Sequence, residues 1–203
     1  MWPSDGGARV TRRLLAICLL TLGLAACGVN EIPTLEEQAK ASWGEVENQY
    51  QRRADLIPNL VETVKGYATH EQEVLEGVTK ARASATQPAG PGVLQDQEQF
   101  EQYEQRQAEL SGALGRLLVT VERYPDLKAN QNFLALQSQL EGTENRIAVA
   151  RRDYIGAVRA YNTELRTFPG RLWAMTLYSG SEPMPVFAAD EKAREAPKVS
   201  FGS

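Results

Sequence analysis

Between residues 34 and 168 apolar side chains return every third or fourth position, and no stretch alternates with the period of two that a strand needs. That spacing admits one kind of fold, long amphipathic helices laid side by side. The first stripe is Leu35, Ala39, Trp43, Val46 and Tyr50, and Thr34 with Glu37 reads as its capping box. Pro58 lacks an amide donor and disfavours helical geometry at Ile57, so the spacing predicts a break there, with either a second helix starting at Pro58 or one helix kinked at it. The second stripe runs Ile57, Leu60, Val61, Val64, Tyr67, Ala68, Leu75, Val78 and Ala81. Gln87-Pro88-Ala89-Gly90-Pro91-Gly92 is a loop.

The segment Gln95 to Glu109 is rich in Gln and acidic residues and reads as an exposed, loosely held, acidic start to the third helix. Leu110, Leu114, Leu117, Leu118, Val121 and Tyr124 continue it more firmly. Asn130 suits the N-cap of the fourth helix, whose stripe is Phe133, Leu136, Leu140, Thr143, Ile147, Tyr154, Val158, Tyr161, Leu165 and Phe168. Phe168-Pro169-Gly170 ends it. Long helices on short loops imply antiparallel neighbours. The expected architecture is all-α: an antiparallel bundle of four long helices over 34–170, with an irregular tail over 171–203. Leu172, Trp173, Leu177 and Phe187 of that tail are expected to pack on the bundle end.

The N-terminal residues read as an address. Arg9, Arg12 and Arg13 precede an apolar stretch from Leu14 to Leu24, too short to span a bilayer as a fixed helix. Leu24-Ala25-Ala26-Cys27 then resembles a bacterial lipobox, in which the cysteine thiol is lipidated and becomes the first residue after cleavage. The expectation is a lipoprotein signal peptide over 1–26 and a lipidated tether over 27–33, with Cys27 bearing the diacylglycerol and palmitate among the attached acyl chains. Arg12-Arg13 is read as part of a basic n-region rather than a twin-arginine signal. Removal of 1–26 takes away three Arg and one Asp, which moves the net charge from −4 to −6. So acidic a body cannot use charge to hold anionic headgroups or nucleic acid, and acyl chains must do the anchoring. Gly28 follows the cysteine and no Asp follows in Val29 or Asn30, which predicts the periplasmic face of the outer membrane in a Gram-negative host.

Little in the chain suggests chemistry. It has one histidine and two cysteines, of which Cys18 leaves with the signal. His70 with Glu71 and Glu73 is a thin ligand set that reads as a solvated helix face. No serine sits in a Gly-x-Ser-x-Gly setting. We therefore expect no catalytic residues, no metal, no cofactor and no enzyme activity. The charged residues that stand out are Arg52, Arg53 and Asp55 near Pro58, and Glu144, Asn145 and Arg146 on the fourth helix, with Arg151 and Arg152 beyond them. They read as a patch that either binds a partner or fixes helix register through ion pairs. Asp55 is a candidate cap for the helix starting at Pro58, and Asn145 and Asn162 are candidate buried register-setters. Tyr67, Tyr154 and Tyr161 read as core residues with satisfied hydroxyls.

These strings also carry a resemblance. Gln51-Arg52-Arg53-Ala54-Asp55-Leu56-Ile57-Pro58-Asn59-Leu60-Val61-Glu62-Thr63-Val64-Lys65-Gly66-Tyr67-Ala68 resembles the signature of the LemA family. Tyr124-Pro125-Asp126-Leu127-Lys128-Ala129-Asn130, Thr143-Glu144-Asn145-Arg146-Ile147, Phe168-Pro169 and the closing 191–199 are similar to it too. The resemblance implies a helical bundle on an N-terminal membrane anchor, with no established catalytic residues. The chain departs from the family in its lipobox, where a transmembrane helix is usual, and in lacking a Gly-Phe pair between Leu177 and Met184. The leading functional expectation is a membrane-anchored, non-enzymatic scaffold of the bacterial envelope that binds other envelope proteins. The alternative is a carrier of a small apolar or lipid ligand in a bundle cavity lined by Trp43, Tyr50, Tyr67, Tyr154 and Tyr161.

Overall fold

The structure, a computed structural model, describes residues 28–188. The stretch expected to be a signal peptide, Cys27 and the last fifteen residues lie outside that range. Among the described residues every regular element is a helix: α1 Glu31–Lys65, α2 Gln72–Ala85, α3 Gln97–Val121, α4 Pro125–Lys128, α5 Gln131–Glu164 and α6 Gly170–Thr176. The all-α expectation holds, with four long helices and two short ones.

The described chain divides into two compact units. One comprises 43–155 with 184–188, the other 28–42 with 156–183. In the first, hydrogen bonds and ring contacts give the helix directions. Trp43 meets Phe100 and Arg53 meets Gln107, so α1 and α3 run parallel. Trp43 meets Tyr154 and Arg53 meets Glu144, so α5 runs antiparallel to α1. Gln107 bonds Ala85 while Tyr124 bonds Glu71, so α2 runs antiparallel to α3. The core of this up-down-up-down bundle is aliphatic around Ile57, Leu60, Val64, Leu110, Leu117 and Leu140. In the second unit Ile32, Ala39, Val158, Tyr161 and Leu165 are buried.

Several local expectations are corrected. Thr34 caps nothing: α1 already starts at Glu31, and the Thr34 hydroxyl donates back to the Asn30 carbonyl at 2.7 Å. Pro58 breaks nothing either and lies inside α1. Its missing amide would have bonded the carbonyl of Ala54, four residues back. That buried carbonyl instead accepts from Arg82 Nε of α2 at 2.8 Å, so a neighbouring helix supplies the donor that proline lacks. The break in the second stripe falls later, at 66–71, between α1 and α2. Asp55 consequently sits in mid-helix, exposed, accepting from Gln51 Nε2 at 2.7 Å rather than capping.

The start of α3 is firmly held. Asp96 caps it, its Oδ1 accepting from the amides of Glu98 and Gln99 at 2.9 and 3.2 Å, and Phe100 and Tyr103 are buried. The Gln99 amide and side chain, with the Glu98 amide, hold the partly buried Asp96 carboxyl below its ordinary value. Asn130 does cap α5, its Oδ1 accepting from the Phe133 amide at 3.1 Å. That helix stops at Glu164, and Phe168, expected in its core stripe, is exposed. The tail is not wholly irregular, since Gly170–Thr176 is helical. A side chain at Gly170 would place its Cβ 2.3 Å from the Glu164 carbonyl oxygen, so this turn admits glycine alone. Phe187 is buried as expected, whereas Leu172 and Leu177 are exposed.

Candidate functional site

The predicted patch resolves into one buried hub and an exposed fringe. Arg53 projects from α1 into the bundle and is 1% exposed. Its Nη1 donates to Ser111 Oγ of α3 at 2.7 Å and to Glu144 Oε1 of α5 at 2.8 Å. Its Nη2 donates to Gln107 Oε1 at 2.9 Å and to the Gln107 carbonyl at 3.3 Å. The guanidinium carbon lies 5.2 Å from the centre of the Tyr50 ring. Its Nε is buried and meets no acceptor. Gln107 in turn donates from Nε2 to the Ala85 carbonyl of α2 at 2.8 Å. One planar fork of donors therefore joins α1, α3 and α5 directly, and α2 through Gln107.

The other predicted members stand apart. Arg52, Asn145 and Arg146 are exposed. Arg146 bonds Gln49 Oε1 at 3.2 Å and Thr143 Oγ1 at 2.9 Å. Asn145 is thus not the buried register-setter expected of it. Gln107 and Ser111, four residues apart on one face of α3, were not foreseen. Their one sequence signal is that spacing, and it is submerged in a segment where nearly every position is polar.

Beside the hub lies an aromatic cluster. Trp43 contacts Phe100, Tyr103 and Tyr154 at centroid distances of 5.5, 5.4 and 5.3 Å, and stacks on Phe187 at 6.1 Å. The Trp43 side chain is hydrogen bonded to Glu47, and burial raises the Glu47 carboxyl above its ordinary value despite that bond. Tyr154 donates its hydroxyl to the Pro185 carbonyl at 2.9 Å, which ties 184–188 to the bundle. Arg151 lies 4.1 Å over the Phe187 ring and pairs with Glu104 at 2.7 Å. Burial pushes the phenols of Tyr50, Tyr103 and Tyr154 upward.

These rings touch one another where the carrier reading would place a ligand. Tyr161 belongs to the other unit, and Tyr67 is 45% exposed, its hydroxyl accepting from Asn130 Nδ2 at 2.8 Å rather than filling a core. An open groove of about 730 Å³ lies between α1 and α2, floored by Val61 and Leu75 and rimmed by Glu62, Lys65, Glu76 and Lys80. None of the five aromatic residues lines it. His70 is exposed, and Glu71 is engaged by Tyr124 and Arg123 at 2.9 and 3.0 Å. No group of three or more potential metal ligands occurs among the described residues. No helix among them is long and apolar enough to cross a membrane.

A sequence model described as the LemA family matches residues 42–201, nearly the whole helical body. The magnetosome protein MamQ 2 of Paramagnetospirillum magneticum is 26% identical over 157 residues, which cover 69% of this chain and 58% of that protein. The magnetosome protein MamQ of Magnetospirillum gryphiswaldense is 24% identical over 194 residues, covering 85% and 71%. The protein LemA of Metamycoplasma hominis is 22% identical over 143 residues, covering 68% and 60%. The chain therefore spans about 58% of the length of the first of these relatives.

Proposed function

The chain belongs to the LemA family, and on that premise we propose that it is a lipid-anchored scaffold of the bacterial envelope that binds other envelope proteins and catalyses no reaction. The observation that carries this reading is the Arg53 hub. Among the described residues the most deeply buried charged side chain is engaged by Ser111, Gln107 and Glu144, and so serves to hold helices in register rather than to face a substrate. A bundle locked in this way presents rigid outer faces, which suit protein recognition.

Anchoring is assigned to Cys27, which lies outside the described residues, and rests on the lipobox-like run Leu24-Ala25-Ala26-Cys27. In a Gram-negative host, Gly28 and Val29 behind the cysteine favour the periplasmic face of the outer membrane. Partners would then be membrane-proximal.

Two measurements test the reading. Labelling with an alkyne fatty acid should mark the native protein and not Cys27→Ser, and equal label in both would overturn the anchor. Crosslinking in intact cells should capture the same envelope proteins with native chain and with Glu144→Gln. Loss of capture at unchanged stability would make the hub a recognition site instead of a structural lock.

A further inference from the structure

We propose that the unit containing α6 carries a membrane-docking face beside the lipid attachment point, so that the body lies on the bilayer surface rather than hanging free from its acyl chains. This inference rests on the lipoprotein reading above. Within α6, Leu172 and Met175 are three residues apart and share a face, and they are 48% and 70% exposed. Phe168 and Leu177 bracket the helix at 86% and 62%. Four large apolar side chains within ten residues are thus turned to solvent, while Gly170 is buried and Trp173 half-buried. Arg166 and Arg171 stand exposed among them, and although the body as a whole is acidic, guanidinium groups at the rim of this one apolar patch suit anionic headgroups locally.

The place where the chain enters this unit identifies the occupant. A Cβ built on Gly28 would lie 3.3 Å from Pro169 Cγ and 3.8 Å from Trp173 Nε1. Gly28 therefore lies against the turn that leads into α6, and in the sequence it directly follows Cys27, the residue to which the lipoprotein reading assigns the lipid. On that reading, acyl chains attached one residue before Gly28 enter a bilayer on the side of the unit that bears Phe168, Leu172 and Met175. The backbone there tolerates such surroundings. The amides of Arg171, Leu172 and Leu177 donate to the carbonyls of Thr167, Pro169 and Trp173 at 2.7, 2.9 and 2.9 Å. A short amphipathic segment with aromatic and aliphatic residues outward and arginines at its edge is built to lie in a headgroup boundary.

The test uses the full chain, purified after processing and reconstituted in vesicles of phosphatidylethanolamine and phosphatidylglycerol. A lipidated Cys27 has no free thiol, so Met175→Cys offers one site for an environment-sensitive fluorophore, and Val119→Cys, exposed in the other unit, is the control. The label at 175 should shift to the blue and be quenched by spin-labelled lipid at least about twofold more strongly than the label at 119. Adding Phe168→Ser, Leu172→Ser and Leu177→Ser should abolish that difference while the helical spectrum stays unchanged. A label at 175 that remains as aqueous as at 119 overturns the proposal, including the case in which the face binds a protein. Quenching that survives the triple serine change overturns it too. Mass analysis of the N-terminal fragment tests the anchor separately. If Cys27 carries no lipid the anchor reading falls. Flotation of that protein with vesicles, lost in the serine variant, would still uphold the face, and absence of flotation would end it.

Discussion

The bundle of 43–155 holds two kinds of interior. Around Ile57, Leu60, Leu110, Leu117 and Leu140 the core is aliphatic but for Phe133. Nearer the start of α3 it consists of Trp43, Phe100, Tyr103, Tyr154 and Phe187, with Arg53 between the two. Aliphatic contacts are non-directional, so a helix displaced by one turn meets comparable partners. Directional groups tolerate no such displacement. The Arg53 fork reaches Ser111, Gln107 and Glu144 in one register, and the Tyr154 hydroxyl reaches the Pro185 carbonyl in one place. The aliphatic layers supply cohesion, and the aromatic and arginine layers choose among the arrangements that cohesion alone would allow.

The largest effects should come from removing bulk, and they should not separate the two interiors. Phe100→Ala should cost about 3–5 kcal/mol and Leu117→Ala about 2–5 kcal/mol, read by denaturant unfolding. A cost below half that range at Phe100 would return the start of α3 to the loosely held segment its composition suggests. The interiors part company at the hub. Glu144→Ala strips the buried guanidinium of its carboxylate and should cost about 3 kcal/mol, moderated because Glu144 is half-exposed. Arg53→Met, which removes the charge and keeps the bulk, should restore much of that stability. It should also speed amide exchange in α1 and α3, the signature of a register no longer locked. Equal exchange in native and Arg53→Met proteins would show that the rings alone set the register.

A smaller effect is expected at Arg82. Its replacement by Ala leaves the Ala54 carbonyl unmatched opposite Pro58 and should cost about 1–3 kcal/mol, where an exposed arginine would cost a few tenths. The pH response separates the interiors again. Burial raises the phenols of Tyr103 and Tyr154 above their ordinary value of 10.0, so the unfolded chain ionises first. Their contribution is complete below pH 10 and is lost as the pH climbs beyond it. Tyr103→Phe and Tyr154→Phe should each flatten the alkaline decline, whereas Leu117→Ala should leave its slope unchanged. Least of all, Asp55→Ala should shift stability by no more than about 0.5 kcal/mol, since an exposed partner of Gln51 caps nothing.

Periodicity determined the helical class and most of the aliphatic core, and residue type determined the loop around Pro88 and the cap at Asn130. These follow from local rules that a helix obeys wherever it packs: apolar positions share a face, and a cap bonds an amide two or three residues on. The residues around Pro58 drew attention through their charge, yet their roles were not legible. Arg52, Arg53 and Asp55 stand within four residues of one another in sequence, and a helix turns each to a different side. Arg53 alone faces the interior, because α3 and α5 bring Gln107, Ser111 and Glu144 to meet it. Pro58 stops a helix by every local rule and fails to here, because Arg82 reaches across from α2 to the carbonyl it leaves bare. The Gln-rich start of α3 looked like solvent-facing chain because Phe100 and Tyr103 are few, and the rings that bury them come from α1 and α5. A donor, an acceptor or a ring supplied from elsewhere in the chain leaves no mark in the local pattern, and the tertiary structure decided each of these cases for that reason.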